Sequence, residues 1–515
     1  MVRIADVIVN QTSGNAFMVC QIWQALVETG ALDVQEKTLR LTGDGPLGLP
    51  QTVRDVLGQR LARLSPGTID VLQVAALTGI EFELGALREA AELKGQALVD
   101  AIDEATQSGI LEELPGARLA SRFVHELMRR ALAELPTAAR RADIHRRIGE
   151  ALERTRTAGR ARALADLAHH FTEAAPLIGP EKAISYDLQA ADAATASLAY
   201  EDAARLLSDA VTLGIDDEIE RASVLLATGR ARWRAGHLDG SLAAFEDSLE
   251  LARAIGATEV LAQAAIGHEE ACWPGSISDR GAAEFLAEAA GALHPAESPT
   301  LVRVLAGLAR ALAYEGRHDE AVSRQREAVE MARRLGDDQS LAIALLRSYW
   351  VRATQPLDEV LQMLTEARDL GEASNDAATH SEALEWRVRV LAELGQLDAA
   401  KAEADVMRGV AGATREAVFL HIAELFASAL ALVDGRLDDA ESLAWASREW
   451  SHLFSGPDAS AQHAIQLFCI RREQDRLGEL APVARVLAAD SHAEMWRPGL
   501  AVLLAELGMT EEARR

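Results

Sequence analysis

The sequence predicts an all-α protein: a long α-solenoid of helical hairpins, preceded by a smaller domain of helices and one β-hairpin. Three observations lead there. Aromatic residues make up only 4% of a chain that is 49% hydrophobic, and alanine and leucine fill the gap. Short aliphatic side chains favour helices and close helix packing, whereas strands draw on β-branched and aromatic residues. A chain of 515 residues is too long for one compact core, so several domains or a repeat array is expected. Finally, a short phrase recurs along the C-terminal two thirds.

That phrase is glycine, two residues, an acid, then a small residue. It stands at Gly236-His-Leu-Asp239-Gly-Ser241, Gly316-Arg-His-Asp319-Glu-Ala321, Gly395-Gln-Leu-Asp398-Ala-Ala400, Gly435-Arg-Leu-Asp438-Asp-Ala440 and Gly508-Met-Thr-Glu511-Glu-Ala513. Every spacing between successive glycines except the last is one or two times a period near forty. Degenerate copies fill the gaps at Gln355–Val360 and Gln474–Glu479, an earlier one stands at Ser197–Ala203, and a break is expected around Trp273-Pro274-Gly275. Glycine can end a helix in the left-handed conformation. The acid is expected to cap the next helix and meet its positive dipole end. The small residue lets the second helix approach the first. Apolar residues flank the turns at helical spacing, as in Leu225, Leu226 and Trp233, then Leu242, Phe245 and Leu249. Residues 181–515 are therefore expected to form the solenoid. Trp233, Gly236, Phe245, Ala321 and Ala328 stand near positions that make the array resemble the tetratricopeptide family, with a period longer than is usual for that family.

Residues 49–135 read as a winged-helix domain. Leu49-Pro50 and Ser65-Pro66 open helices ending near Arg63 and Thr78, proline suiting the first turn. Helices at 83–93 and 96–108 follow, then a β-like stretch Gly109–Leu114, a Pro115-Gly116 turn, a second stretch Ala117–Val124, and a helix from His125 to Glu134. Helices followed by a two-stranded hairpin give the reading. Residues 136–180 are expected to be linking helices.

The region from Met1 to about Ala175 resembles the end of the ATPase module and the winged helix of STAND-class signalling ATPases, as found in LuxR-type bacterial regulators and cyclase-linked relatives. The resemblance lies in Thr12-Ser-Gly14-Asn15-Ala16-Phe17, Leu49-Pro50, Arg60–Ser65, Val71–Ala76, Phe123-Val-His125-Glu-Leu-Met-Arg129 and Leu167-Ala-His169-His170-Phe171, and continues at Ala190–Ala194. It implies that residues 1–48 are a remnant of that module's helical subdomain. It further implies that Gly14, Asn15 and His125 are vestigial nucleotide contacts. Ala16 stands where the family has proline. No G-x-x-x-x-G-K-[ST] phosphate loop is present, so ATP or ADP is expected as a cofactor only if an upstream ATPase module supplies the site.

The net charge of −27 disfavours DNA and anionic membranes as partners. The exception is 118–162, with 12 arginines against 5 acids, where DNA binding competes with a solvated or docking face. Cys20, Cys272 and Cys469 form no metal or disulfide pattern, and with no apolar run of ~20 residues a cytoplasmic protein is expected. His169 and His170 point about 100° apart on a helix, and His268-Glu269-Glu270 is no H-E-x-x-H, so no metal is assigned. Trp233, Trp273, Trp350, Trp386, Trp445, Trp450 and Trp496 read as core anchors or as anchors of a concave site. No catalytic constellation is visible. The expectation is a non-enzymatic regulatory sensor that binds a protein or small-molecule effector in its repeat groove. DNA association through the basic region is one alternative. The other is a fragment of an ATP-dependent switch with its phosphate loop upstream. The final repeat lacks a second and a capping helix, which predicts self-association or instability.

Overall fold

A computed structural model describes residues 32–35, 38–41, 61–114, 120–155, 161–272, 281–352, 355–451, 457–482 and 497–514. The chain forms two compact units, Met1–Tyr186 and Asp187–Arg515.

In the first unit, β1 (Leu32–Gln35) pairs antiparallel with β2 (Thr38–Leu41). This hairpin lies within residues 1–48, expected as a remnant of a helical subdomain. Leu-Asp-Val-Gln and Thr-Leu-Arg-Leu alternate with period two, the strand signal, over segments too short to outweigh the helical context. Then come α1 (Pro66–Thr78), β3 (Glu81–Glu83), α2 (Leu84–Ala90), α3 (Gln96–Gln107), β4 (Leu111–Glu113), β5 (Ala120–Phe123), α4 (Glu126–Glu134), α5 (Ala138–Thr155) and α6 (Ala161–Ile178). Ser65 caps α1 by accepting from the Thr68 amide at 3.2 Å, with Pro66 in the first turn. The sheet has three antiparallel strands in the order β3-β5-β4 rather than the expected two. Glu81-Phe82-Glu83 exposes its acids and buries Phe82, an alternation too brief to read from sequence. Leu72, Leu87, Ile110, Phe123, Leu132 and Ile144 fill the core beneath it.

The boundary between units falls within α7 (Glu181–Ala196). The second unit is a tetratricopeptide-like α-solenoid, and the protein as a whole is all-α apart from the short strands. After α8 (Tyr200–Leu213) each repeat is a hairpin. The pairs are α9 (Glu218–Ala235) with α10 (Leu238–Ile255), α11 (Thr258–Cys272) with α12 (Ala282–Leu293), and α13 (Pro299–Tyr314) with α14 (His318–Leu335). They continue as α15 (Asp338–Arg347) with α16 (Leu357–Ala373), α17 (Ala377–Glu393) with α18 (Leu397–Thr414), and α19 (Ala417–Val433) with α20 (Leu437–Ser451). Helices α21 (Pro457–Glu473), α22 (Arg497–Glu506) and α23 (Thr510–Ala513) follow. First helices begin at Glu218, Thr258, Pro299, Asp338, Ala377, Ala417, Pro457 and Arg497, so the period stays close to forty throughout.

Gly236, Gly316, Gly395, Gly435 and Gly508 all adopt left-handed φ between 73° and 87°. Where the glycine is missing, Leu198 and Asp475 take the same conformation at φ 61° and 57°. The expected role of the acid needs correction. His237, Arg317 and Gln396 occupy the cap positions without side-chain capping bonds, and Asp239, Asp319 and Asp398 lie inside the first turn. They serve the helix dipole, not the cap. True side-chain caps sit at the other end of the repeat, where Asp217, Ser298, Asp337 and Asp376 open first helices. The small residue behaves as expected: Ala321, Ala400, Ala440 and Ser241 are fully buried, and Ser241 donates to the Gly229 carbonyl at 2.9 Å.

Candidate functional site

Within the second unit the first helices turn inward and the second helices outward. The array curls until α9 touches α19. Trp233 of α9 packs into the cluster formed by α17, α18 and α19, and Tyr200 donates its hydroxyl to the Thr414 carbonyl at 3.1 Å. The first helices α9, α11, α13, α15, α17 and α19 thereby line a pocket of about 390 Å³. That lies within the range of small-molecule sites.

The wall is charged. Arg347 is committed to Glu382, and Asp376 is occupied by the Thr379 amide at 3.1 Å and the Gln339 amide at 3.0 Å. Arg230, Arg234 and Arg303 are not neutralised in this way. Arg230 donates to the neutral side chain of Gln263 at 2.7 Å, Arg234 lies over the Tyr200 ring at 5.6 Å, and Arg303 reaches Glu270 only at 3.7 Å. The Arg303 Nε is buried without a partner. Arg230 is solvent-accessible but ringed by protein. Burial lowers its pKa, the neighbouring Arg303 and Arg234 act the same way, and Glu270 opposes them. Across the pocket, burial raises Glu416, helped by Asp376 and Glu270 and opposed by Arg234. The pocket therefore offers loosely paired guanidinium donors beside Glu270 and, near Arg234, a Glu416 carboxyl biased toward its protonated form.

Beneath the wall runs a buried ion network. Arg310 of α13 is fully buried and donates to Glu269 of α11, with Nη2 to Oε2 at 2.8 Å, and to Glu382 of α17 at 3.2 Å. Glu382 also binds Arg347 of α15. Burial acts to raise Glu382, but the attraction of Arg347 and Arg310 outweighs it and holds the carboxyl down. Nearby Glu385 meets the opposite balance. Burial pushes it up to about 7, with Glu382 adding to the rise and Arg389, at 3.0 Å, only partly offsetting it.

This gives a testable pH dependence. Glu385 is protonated in both folded and unfolded states below about pH 4.5. Between there and about 7 only the folded state holds the proton, so its contribution to stability is lost as pH rises through that window. The full difference is on the order of 3 kcal/mol. Glu385→Gln is expected to flatten the decline in urea midpoint between pH 5 and pH 8. A variant with the wild-type slope contradicts the assignment.

Of the residues expected to contact nucleotide, Gly14 and Asn15 lie outside the described residues. His125 is the cap residue of α4, half-buried, and its side chain makes no capping bond. Of the pocket residues, the sequence singles out only Trp233, as a core or concave-site anchor, and Glu270, within a motif set aside as no metal site. The available signal is three consecutive polar residues, His268-Glu269-Glu270, in an otherwise alanine-rich helix. Glu269 is buried on Arg310 and Glu270 faces the pocket.

The basic stretch is largely engaged in internal pairs. Arg122 binds Glu112, Arg129 binds Glu126, Arg140 and Arg147 reach Glu92 and Asp143, and Arg146 bridges Asp143 and Glu150. Such pairing reduces the free cation density that a phosphate backbone would need. Trp386 is buried and Trp350 lies 5.0 Å from it, whereas Trp445 and Trp450 are exposed at 41% and 36%. Trp273 and Trp496 lie outside the described residues. Among the described residues no helix is long and apolar enough to cross a membrane.

No protein-family model and no curated protein matches the sequence. Among solved structures, the chain is similar to a STAND protein with a tetratricopeptide repeat sensor from Pyrococcus horikoshii, at 14% identity and TM-score 0.34, covering 86% of this chain and 68% of that one. It is also similar to a Rap protein complexed with Competence and Sporulation Factor, at 14% identity and TM-score 0.31, covering 66% and 94%. A human IFIT1 dimer with PPP-AAAA aligns at 12% identity and TM-score 0.37, covering 89% and 97%. The fold assignment itself rests on the helical period and the hairpin packing.

Proposed function

We propose that this chain is a non-catalytic regulatory sensor and that its repeat channel holds an anionic effector, a small molecule or a peptide carrying a carboxylate or phosphate. The observation that carries the reading is the pocket on which Arg230, Arg234 and Arg303 converge, held there only by a neutral amide, an aromatic ring and a 3.7 Å contact to Glu270. Such guanidinium groups in a partly desolvated wall are destabilising, and an anion relieves them through charge-assisted bonds. A hydrogen-bond donor on the ligand suits Glu416. In the same reading, residues 49–135 act as a winged helix of the STAND type and relay the bound state to an ATPase core supplied elsewhere. ATP and ADP enter only through that core. The helix and strand order of the first unit supports this relay. The internally paired arginines of α5 weigh against the DNA-associated alternative.

Calorimetry on the full chain, with pyrophosphate and with a short acidic peptide as probes, tests the pocket. At least one probe is expected to bind in the micromolar range, weakening with added salt. The double variant Arg230→Gln, Arg303→Gln removes two charge-assisted bonds and is expected to cut affinity about 100-fold. Unchanged melting would show that the fold is intact. Undiminished binding by that variant would place the anion elsewhere.

A further inference from the structure

The first unit contains a second convergence of chemistry-bearing side chains, none of which lines the repeat pocket. Helices α5 and α6 pack against each other. His145 projects from α5, and His169 and His170 from α6. Adjacent residues on one helix diverge by about 100°, which argues against a shared ligand when only the pair His169-His170 is considered. His145 changes that geometry, because it enters from the facing helix between the two diverging rings. His145 Nδ1 lies 2.8 Å from His170 Nδ1, and one nitrogen from each of the three rings falls within 4.8 Å of the others. The ring centres form a nearly equilateral triangle with sides of 5.4, 5.1 and 5.2 Å.

That triangle has a specific size. A tetrahedral zinc-class ion holds imidazole nitrogens at about 2.0–2.1 Å, which puts ring centres about 3.2 Å from the ion and about 5.2 Å from one another. Packing of three imidazoles needs no such equality. We propose that His145, His169 and His170 form a binding site for one divalent zinc-class cation, with a fourth position open to water.

The surroundings fit this site. His145 and His170 are each only 3% exposed, so two ligands are fixed by packing, while His169 is exposed and provides the entry. Ligand imidazoles must be neutral. Burial holds His145 at about 4 and His170 at about 3, with His169 and Arg141 lowering His145 further and His145 and His169 lowering His170. In the metal-free pair one Nδ1–H donates to the other Nδ1. Taking up the ion through both Nδ1 atoms moves that proton to Nε2 of the same ring, with no net loss from the pair. All-imidazole sets suit zinc, copper and nickel and exclude magnesium and calcium, which require oxygen ligands. Arg141, one turn before His145, is the nearby charge that opposes a cation. Bound metal would cross-link α5 to α6.

The test uses the full chain stripped with chelator and titrated with Zn²⁺ by calorimetry, with Co²⁺ absorption as a second readout. Wild type is expected to bind one ion at micromolar Kd or tighter and to gain thermal stability in proportion to free metal. His169→Ala removes an exposed ligand and leaves the packed pair in place. It is expected to keep the metal-free melting temperature and to lose about 100-fold in affinity together with the stability gain. His237→Ala, at an exposed histidine of the repeats, is expected to bind as wild type. Absence of stoichiometric binding to wild type at tens of micromolar Zn²⁺ overturns the proposal. Binding that His169→Ala leaves undiminished overturns it equally.

Discussion

Replacing Arg310 by methionine is expected to destabilise the repeat array by about 3–5 kcal/mol, seen as a fall in urea midpoint. Arg310 has no exposed surface, and it stands between Glu269 and Glu382, which are themselves 4% and 6% exposed. Methionine fills much of the same space, so the cost is electrostatic. Two buried carboxylates lose a shared cation; among the described residues Glu269 has no second arginine in the network, whereas Glu382 retains Arg347. Glu269 is then left as an unpaired carboxyl in a low-dielectric setting. The same logic sets a rescue. Arg310→Met combined with Glu269→Gln removes the stranded charge and is expected to recover more than half of the loss. A single variant with the wild-type midpoint would show that the network is solvated and contributes little. Failure of the rescue would locate the cost in packing rather than charge.

Truncation of Phe245 to alanine is expected to cost about 3–5 kcal/mol by the same measurement. The Phe245 ring, 1% exposed, lies between two glycines on successive first helices. A Cβ on Gly229 would come within 2.6 Å of the ring, and one on Gly267 within 2.5 Å. The two backbones therefore approach the ring as closely as they can, and truncation leaves a void that neither helix can close by side-chain rearrangement. Gly267→Ala is expected to cost about 1–3 kcal/mol by overpacking. The two changes are coupled through one space, so Phe245→Leu with Gly267→Ala is expected to cost less than the two single losses combined. Strict additivity would count against the sandwich. Since Gly267 also lines the pocket, a shift of α11 is expected to weaken anion binding alongside stability.

Much of the second unit is visible in local sequence because its repeat is a local device. A glycine that must take positive φ, a small residue at the hairpin contact and apolar residues at helical spacing are each readable within a dozen positions. They set hairpins with a period near forty. The place of the acid differs from expectation because sequence shows proximity to a helix start but not which residue is the cap. His237, Arg317 and Gln396 take that position by backbone conformation alone. Short strands such as Glu81–Glu83 escape sequence reading because so few residues hardly define an alternation.

The candidate sites were not legible for a different reason. Arg310 reads as an ordinary surface position in an alanine-rich helix, and nothing nearby announces partners 41 and 72 residues away. His169-His170 reads as a pair facing apart until His145, 25 residues from His170, arrives from the opposite helix. Sequence by itself determined that this protein is a stack of helical hairpins, where most of them turn, and that its surface is acidic. Tertiary structure alone decided that the stack closes, with α9 meeting α19, and that the closure gathers arginines into a pocket. Hairpin formation depends on contacts between neighbours, which local pattern encodes. Closure depends on a small rotation per repeat summed over six first helices, and no single segment of the chain records that sum.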